Sequence, residues 1–251
     1  MDSPNRPRYI FGIHPIIEAI RAGQEIDKLL LKKDLGNELL RQLHKEARDA
    51  GVPVQFVPME KLDSISRKNH QGAIAIVSAV EYTRIEQVIP MIYEEGRIPL
   101  ILVLDHITDV RNFGSVARTA ECAGVDAIVI PSKGAATINA DAIKTSSGAL
   151  NAIAVCRVES LVQATTYLKE AGLQIVAASE KGNTLYHAIP YNLPTAIIMG
   201  AEDTGVSNEL LNLSSQIVKI PVIGKVESLN VAVASGVMLY EVQRQREKSV
   251  D

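Results

Sequence analysis

The chain has 251 residues, of which 47% are hydrophobic and 22% charged, and its formal net charge is -3. This composition is typical of a globular protein with one large or two smaller domains, and the small net charge gives no global argument for nucleic-acid binding. No apolar run reaches the roughly 20 residues that span a bilayer, and residues 1–8 lack the charged-then-apolar pattern of a signal peptide. We therefore expect a cytoplasmic protein without a membrane partner.

The first third of the chain alternates helix and strand patterns, and two of its helical patterns end at a glycine. The helices are predicted at 14–23, 36–51 and 59–68. The strands are predicted at 28–33, 53–57 and 73–80. Together they predict a compact α/β domain over residues 1–78. We interpret residues 79–97, where Pro90 and Gly96 interrupt a short helical pattern, as a linker.

From residue 98 onward, near-continuous apolar runs predict six strands that are mostly separated by helix-like stretches. They lie at 100–105, 127–131, 152–156, 173–179, 195–200 and 216–222. Apolar runs without alternation are typical of parallel strands that are buried on both faces. Residues 98–251 therefore predict an α/β domain with a largely parallel sheet, and its last helix covers 230–248.

The sequence gives no support for a disulfide or a metal site. Cys122 and Cys156 have apolar neighbours and no C-x-x-C or Cys/His spacing, so we predict that both are buried in the core. The five histidines are scattered along the chain. We therefore expect no metal ligand set.

Ligands of parallel sheets bind beyond the carboxyl ends of the strands, and polar residues are concentrated at three of these ends. The first cluster is DHITDVRNFGSVARTA, directly after the strand at 100–105. A helix within it would be capped by Asn112 or Ser115. Arg111 and Arg118 would then lie near its start. Taken alone, this stretch favours the simpler interpretation of a capped surface helix with solvated arginines.

The other two clusters are IIMGAEDTGVSNELL and KIPVIGKVESLNVAVASG. In the former, Gly200 allows another group to approach the backbone, and Glu202 lies in the following turn. In the latter, Ser228 or Asn230 would cap the last helix, and Gly236 suggests close packing of that helix against another backbone. Taken alone, the former cluster favours a glycine turn with a solvent-exposed acid. The close packing at Gly236 is equally consistent with an internal contact and with a subunit contact.

Common site classes are missing from these clusters. The first cluster has one glycine, Gly114, where a dinucleotide site needs G-x-G-x-x-G. The stretch IGKV lacks the P-loop frame, and no G-x-S-x-G motif surrounds Ser147 or Ser235. What remains is arginine, asparagine, glutamate and serine, without a metal site or a covalent nucleophile. Such a set suits group transfer from a donor that carries its own activated leaving group.

Taken together, DVRNFGSVARTA, IIMGAEDTG and IPVIGKVESLNVAVA resemble, in order and spacing, the three motifs of the SpoU/TrmH family of RNA 2'-O-ribose methyltransferases. FGIHPIIEAIRAG and NHQGAIA resemble the L30e-like substrate-binding domain of one subgroup of that family. This subgroup methylates a guanosine in the peptidyl-transferase loop of 23S ribosomal RNA. The resemblance covers nearly the whole chain.

The resemblance implies a fold that general topology rules would not suggest, because knots are rare. An L30e-like α/β domain would precede a SPOUT α/β domain with a parallel sheet and a C-terminal trefoil knot. The methyl donor would be S-adenosylmethionine, held by loops of the knot. The substrate would be RNA, and the protein would be a homodimer with its active site at the subunit interface.

The resemblance also assigns roles to the residues of the three motifs. The matching catalytic positions are Asn112, Arg118, Glu202, Ser228 and Asn230. The matching donor-binding positions are Gly200, Ile220 and Leu229. Asn112 would position the ribose, Arg118 would act at the reacting 2'-hydroxyl, and Glu202 would organise the site. Ser228 and Asn230 would border donor and acceptor.

Family proposals make the arginine the base of the reaction. Deprotonating an arginine at neutral pH costs at least about 7 kcal/mol. We therefore expect Arg118 to remain cationic and to stabilise the developing alkoxide. It would also hold a backbone phosphate that can accept the proton.

Three alternatives stay open on the sequence alone. One is the same chemistry on a transfer RNA or on another ribosomal site, because domain resemblance is a weaker guide to substrate than motif identity. Another is a non-catalytic RNA-binding or ribosome-assembly protein, which the intact motif residues disfavour. The last is a nucleotide-dependent oxidoreductase, which the missing glycine fingerprint disfavours.

Overall fold

The structure, a computed structural model, describes residues 8–34, 36–226 and 228–247. The chain divides into two compact units. The first consists of Met1–Glu81 with Thr137–Ala140, and the second of Tyr82–Ala136 with Asp141–Asp251. Each unit has its own sheet and its own helices, so both are of the predicted α/β class.

The first unit is built on a four-stranded mixed sheet in the order β1-β4-β2-β3. Its strands are β1 (Tyr9–Phe11), β2 (Ile26–Lys32), β3 (Val54–Val57) and β4 (Ala73–Val77). Its helices are α1 (Ile13–Arg21), α2 (Glu38–Asp49) and α3 (Met59–Ile65). Strand β2 pairs in parallel with β3, and β4 runs antiparallel to both β1 and β2. The three predicted helices and three predicted strands are all present, and only the short β1 was missed.

Successive side chains of β2 pack into two separate apolar clusters, one on each face of the sheet. Leu29 and Leu31 pack with α1 and α2, whereas Leu30 packs with Leu62 of α3. Successive residues of a strand point to opposite faces, so this continuous apolar run covers both faces of the sheet. The first unit is therefore a sheet with helices on both sides.

Side-chain hydrogen bonds hold the NHQG stretch that precedes β4. The Oε1 atom of Gln71 accepts the N–H of Ile13 at 3.2 Å, in the first turn of α1. The buried ring of His70 accepts the N–H of Gly72 through Nδ1 at 3.1 Å, and its Nε2 lies 3.0 Å from Oδ1 of Asp63 on α3. These contacts give the motif a structural role, because they fix the start of β4 to both helices.

The remaining chain contains a seven-stranded sheet in the order β7-β6-β5-β10-β8-β11-β9, and all its strand pairs are parallel. The strands are β5 (Leu100–Asp105), β6 (Ala127–Pro131), β7 (Ala154–Val158), β8 (Gln174–Ala178), β9 (Thr184–Leu185), β10 (Thr195–Gly200) and β11 (Gln216–Lys219). The helices are α4 (Ile85–Glu94), α5 (Val110–Cys122), α6 (Ala140–Thr145), α7 (Leu161–Glu170), α8 (Asn208–Leu213) and α9 (Val231–Glu247).

The predicted parallel sheet is confirmed, with local differences. The strand predicted at 152–156 lies at 154–158, because a 3-10 turn at Ala149–Asn151 comes before it. The strand predicted at 216–222 ends at Lys219, and the two-residue β9 was not predicted. Strand order alone does not define a knot, so the trefoil knot stays a prediction of the resemblance.

The segment expected to be a linker contains a helix of the second core. Its residues Ile85, Val88, Ile89 and Ile92 are at most 3% exposed and pack with apolar residues of the parallel sheet. Their spacing gives α4 one apolar face. Pro90 lies among its exposed residues. Most of the segment is therefore part of the second unit rather than a linker.

The two cysteines differ in exposure. Cys156 on β7 is buried, as predicted, but Cys122 at the end of α5 is exposed, so the prediction for Cys122 is wrong. Helical position explains the difference, because Cys122 falls on the side of α5 that carries Arg111 and Arg118. In the described part of the chain, no helix is long and apolar enough to cross a membrane.

Candidate functional site

The helix after β5 begins earlier than its sequence suggested. α5 starts at Val110, and the side chain of Asp109 caps it by accepting the N–H of Asn112 at 2.7 Å. Neither Asn112 nor Ser115 is the cap, so that prediction is wrong. Aspartate is itself a favoured N-cap residue, and this signal could have been used. The side chain of Asn112 is consequently free to bind other groups.

Asn112, Glu202 and Asn230 form one hydrogen-bonded group. The Oε1 atom of Glu202 accepts from Asn112 Nδ2 at 3.3 Å and from Asn230 Nδ2 at 2.5 Å. It also accepts the backbone N–H of Val231, at the start of α9, at 3.2 Å. Asn230 Nδ2 also donates to Oδ1 of Asn112 at 3.0 Å. The structure thus brings together three of the five predicted catalytic residues.

Asn230 also caps the last helix, as predicted. Its Oδ1 atom accepts the N–H of Ala232 at 3.0 Å, and its backbone oxygen accepts the N–H of Ala234. The cap uses the side-chain oxygen, so the amide nitrogen is directed to Glu202. A carboxylate at this position is favourable because the first turn of a helix carries partial positive charge.

Gly200 allows the loop that carries Glu202 to fold back on the end of β10. A Cβ atom at Gly200 would lie 2.1 Å from the carbonyl carbon of Gly205. The N–H of Gly205 donates to the oxygen of Ala201 at 2.9 Å, and Gly205 has a φ of +67°. The predicted close approach to Gly200 is therefore real, and the approaching group is backbone of the same loop.

A cleft of about 310 Å³ lies beside this loop, within the size range of small-molecule sites. Five of the predicted site residues line it: Gly200, Glu202, Ile220, Ser228 and Leu229. The end of β8 adds Ala178, Ser179 and Glu180, which sequence reasoning missed. The polar residues that follow this apolar strand were the available signal.

The charge of the cleft is negative. Glu180, Glu202 and Asp203 all line it, and neither lysine nor arginine is among the described residues that do so. Glu202 already accepts three hydrogen bonds, whereas Glu180 and Asp203 are exposed. Such a lining favours a ligand that carries positive charge and disfavours a pyrophosphate.

Arg118 is not part of the hydrogen-bonded group. It lies six residues after Asn112 on α5, which places it about 240° further around the helix. Its side chain is exposed and forms no hydrogen bond or ion pair with any residue that the structure describes. Within one chain, the arginine therefore stands apart from the predicted catalytic residues Asn112, Glu202 and Asn230.

The last helix presents apolar side chains outward. Gly236 was predicted to pack closely against another backbone, either inside the chain or in a second subunit. Within this chain the atom nearest to a Cβ at Gly236 would be the side-chain Cγ2 of Thr119 at 3.5 Å, so the internal contact is not with backbone. Val233 and Tyr240 on α9 are 54% and 55% exposed. In the loop before α9, Ile223 is 99% exposed. Val233 and Tyr240 are seven residues apart, so they lie on the same side of α9.

Among the described residues, no group of three or more histidines, cysteines, aspartates or glutamates could hold a metal ion. The candidate site offers hydrogen-bonding side chains beside a carboxylate-lined cleft.

Two family descriptions match the chain. The SpoU rRNA methylase family matches residues 99–240. The domain described as RNA 2'-O ribose methyltransferase substrate binding matches residues 9–83. The first match covers the parallel sheet and all three polar clusters, and the second covers the mixed sheet.

Individual proteins agree with these matches. A Staphylococcus aureus protein, assigned by name to the TrmH family of tRNA/rRNA methyltransferases, is 33% identical over 237 residues, or 94% of this chain and 96% of that protein. The structure of an RNA 2'-O ribose methyltransferase superposes with a TM-score of 0.57, at 27% identity, over 97% of this chain and 90% of that one. An AdoMet-bound rRNA methyltransferase from Sinorhizobium meliloti gives a TM-score of 0.60, at 26% identity, over 95% and 87% of the two chains.

The match to the SpoU family covers more than half of the chain and contains the Asn112, Glu202 and Asn230 group as well as the cleft. The TrmH-family relative extends the likeness over almost the whole length. The chain therefore belongs to the SpoU/TrmH family of RNA methyltransferases.

Proposed function

We propose that this protein transfers a methyl group from S-adenosylmethionine to a ribose 2'-hydroxyl of RNA. Its target is a guanosine in the peptidyl-transferase loop of 23S ribosomal RNA, and its working form is a homodimer. The main support is the group of Asn112, Glu202 and Asn230 at the edge of a carboxylate-lined cleft. Polar side chains that can align a hydroxyl thus lie beside a cleft that suits a cationic donor.

The residues of the cleft fit S-adenosylmethionine. Gly200, Ile220 and Leu229 would contact it largely through backbone groups, and Ser228 would lie between donor and acceptor. Its sulfonium is positively charged, which the carboxylates of Glu180 and Asp203 favour. When bound, it supplies a methyl group on a leaving group that needs no protonation.

The chain's own residues then have two tasks, to align the 2'-oxygen and to assist loss of its proton. Asn112 and Asn230 share Glu202 as acceptor, so their amides are fixed before substrate arrives. A cationic Arg118 would stabilise the developing alkoxide and hold a nearby phosphate that accepts the proton.

The outward direction of Arg118 supports the homodimer. It is directed away from Asn112 of its own chain, so it would act in the site of a partner subunit. The exposed apolar side chains of Ile223, Val233 and Tyr240 offer a surface that a second copy would cover. An interfacial site unites these two observations.

The first unit supports RNA as the substrate. Four basic residues lie where β2 ends and just before β4 begins: Lys32, Lys33, Arg67 and Lys68. The Nζ atom of Lys68 lies 5.4 Å from the centre of the Phe11 ring. Basic side chains beside an aromatic ring suit phosphates and unstacked bases.

The test uses labelled S-adenosylmethionine and three RNAs: a fragment with the peptidyl-transferase loop, a total transfer RNA fraction, and the same fragment with a 2'-deoxy target guanosine. We expect label in the first RNA alone. Primer extension at low nucleotide concentration then locates the methyl group. Label in transfer RNA alone would overturn the ribosomal target. Label in the deoxy fragment would overturn the 2'-hydroxyl as acceptor. Absence of label in all three, with no donor binding by calorimetry, would favour a non-catalytic RNA-binding protein.

A further inference from the structure

Asp105 and His106, at the carboxyl end of β5, form a pair that the proposed chemistry does not use. His106 Nδ1 lies 2.5 Å from Oδ1 of Asp105, and Oδ2 of Asp105 accepts the N–H of Ser207 at 2.7 Å. The Asp105 side chain is 2% exposed and that of His106 is 59% exposed. A buried carboxylate thus holds one ring nitrogen while most of the ring is open to solvent.

The backbone around this ring adopts unusual conformations. His106 has a φ of +59°, a left-handed conformation that residues other than glycine rarely adopt. A Cβ atom at Gly134 would lie only 3.0 Å from Cδ2 of the His106 ring. The ring of His106 therefore packs against Gly134, and any side chain at that residue would displace the ring. Strained residues that their surroundings hold in place are concentrated at functional sites.

The pair is connected to the candidate site. Asp105 is paired with Gly200 in the register of β5 and β10. Ser207, which donates to Asp105, comes two residues after the loop that carries Glu202 and ends at Gly205. One buried carboxylate thus contacts both His106 and the segment that directly follows that loop. His106 also lies at the sheet edge where the site is built.

The Nε2 atom of His106 has no hydrogen-bond partner among the residues that the structure describes. With Nδ1–H donated to Asp105, Nε2 presents a lone pair. We propose that His106 is a substrate-contacting residue whose Nε2 accepts a hydrogen bond from a hydroxyl or amino group of an RNA nucleotide next to the target ribose. Asp105 is the positioning residue that fixes the ring. This inference rests on the proposed function, because it requires RNA at the site.

The first variant is His106→Asn. Asparagine tolerates a left-handed backbone and keeps an N–H donor for Asp105, but it has no group at the position of Nε2. We expect the Kd and KM for RNA to rise about 5- to 10-fold, which corresponds to one hydrogen bond. The affinity for S-adenosylmethionine and the unfolding temperature stay those of the wild type. His187→Asn, an exposed histidine after the far edge strand β9, is the matched control and leaves all four quantities unchanged.

A second variant, His106→Gly, removes the ring and relieves the left-handed strain. It should weaken RNA binding as much as His106→Asn does. If both variants bind RNA like the wild type, the inference is overturned. It is also overturned if both lose affinity for RNA and donor together with a lower unfolding temperature, because the pair would then be structural.

Modified RNAs separate the two kinds of donor group. Fragments with a single 2'-deoxy nucleotide on either side of the target test a ribose hydroxyl. Fragments with a flanking base that lacks its amino group test a base contact. The group that His106 contacts is identified by the modification that weakens RNA binding to the wild type but does not weaken it further in His106→Asn. If every modification weakens binding to both proteins equally, His106 does not contact these nucleotides. RNA Kd values are measured without turnover, so a wild type that binds RNA but transfers no methyl group counts against the proposed function alone.

Discussion

At the scale of single residues, the site depends on one carboxylate oxygen. Oε1 of Glu202 accepts from Asn112, from Asn230 and from the N–H of Val231. Both amides can turn elsewhere if that oxygen is lost, and neither would then point reproducibly at a substrate. This arrangement explains why a single acid can organise residues that are far apart in the sequence.

We expect Glu202→Ala to lower kcat about 100-fold, because a misplacement of about 1 Å in a positioned site has effects of this size. The unfolding temperature should fall slightly, since one N–H at the start of α9 loses its acceptor. Steady-state methyl transfer to the preferred RNA measures the effect. Asp203→Ala removes the adjacent exposed carboxylate and serves as the control, with kcat within about 3-fold of the wild type. Equal losses in both variants would show that cleft charge, not positioning, is what Glu202 provides.

The two cysteines give a second prediction at this scale. Burial raises the pKa of the Cys156 thiol to about 12, and the nearby Glu86 carboxylate adds to the rise. Its thiolate fraction at pH 8 is consequently negligible, and reagents cannot reach it. Iodoacetamide at pH 8 should label only the exposed Cys122 in the folded protein and both cysteines in denaturant, as mass spectrometry of peptides would show. Labelling of Cys156 without denaturant would contradict the burial of β7.

At the scale of elements, a half-buried arginine ties the last helix to the segments that precede β5 and β10. Arg246 on α9 donates to the backbone oxygens of Ile98, Pro99, Tyr191 and Leu193, at 2.9 to 3.2 Å. Burial lowers the pKa of this side chain. The planar fork of arginine can reach several carbonyls at once, which a lysine ammonium cannot. α9 is thereby held at its end, far along the helix from Asn230.

Arg246→Lys should therefore lower the free energy of unfolding by about 2–3 kcal/mol, because several charge-assisted hydrogen bonds to backbone carbonyls are lost. Denaturant titration of the wild type and the variant measures this change in the free energy of unfolding. Arg244→Lys, on the same helix, keeps a cation beside the buried carboxylate of Glu241 and should cost less than about 1 kcal/mol, because the Arg244 side chain itself is half exposed. If the two substitutions destabilise equally, the carbonyl contacts of Arg246 contribute little.

Helices and strands could be predicted where the local sequence pattern determines them. They could not be predicted where packing in the folded chain determines them. Apolar runs located β5, β6, β8 and β10, because strands buried on both faces leave a continuous signal. The helix α4 was mistaken for a linker, since Pro90 and the glycine after it outweighed the spacing of four apolar residues. Cys122 was misjudged for a similar reason, because apolar neighbours along the chain do not determine the exposed face of a helix.

The candidate site was predictable in part. Asn112, Glu202 and Asn230 were identified through resemblance to known motifs, yet only the folded chain brings their side chains together. Glu180 lay outside every motif. It lines the cleft because β8 is next to β10 in the sheet, and this strand order cannot be read from the sequence. The same limit applies to His106, because the Asp105 carboxylate that holds its ring is itself fixed by Ser207, more than 100 residues away along the chain.

At the scale of the whole molecule, the group of Asn112, Glu202 and Asn230 lacks Arg118 within one protomer. Arg118 is exposed and directed away from Asn112. Several apolar side chains are also exposed, and that of Ile223 is almost fully so. A homodimer that covers these apolar side chains would supply the arginine from the second copy. Each dimer would then contain two composite sites, related by a two-fold axis.

Mixed dimers test this arrangement directly. Arg118→Ala and Asn230→Ala should each be nearly inactive as pure proteins. Co-expressed, they form hybrid dimers in which one site carries both substitutions and the other carries neither. If the arginine acts across the interface, random pairing restores about a quarter of wild-type activity, because half of the dimers each hold one intact site. If Arg118 acts within its own chain, every site in the hybrid lacks one residue and no activity returns. An Ile223→Asp substitution in both chains should abolish the recovery together with the dimer, as sedimentation would show.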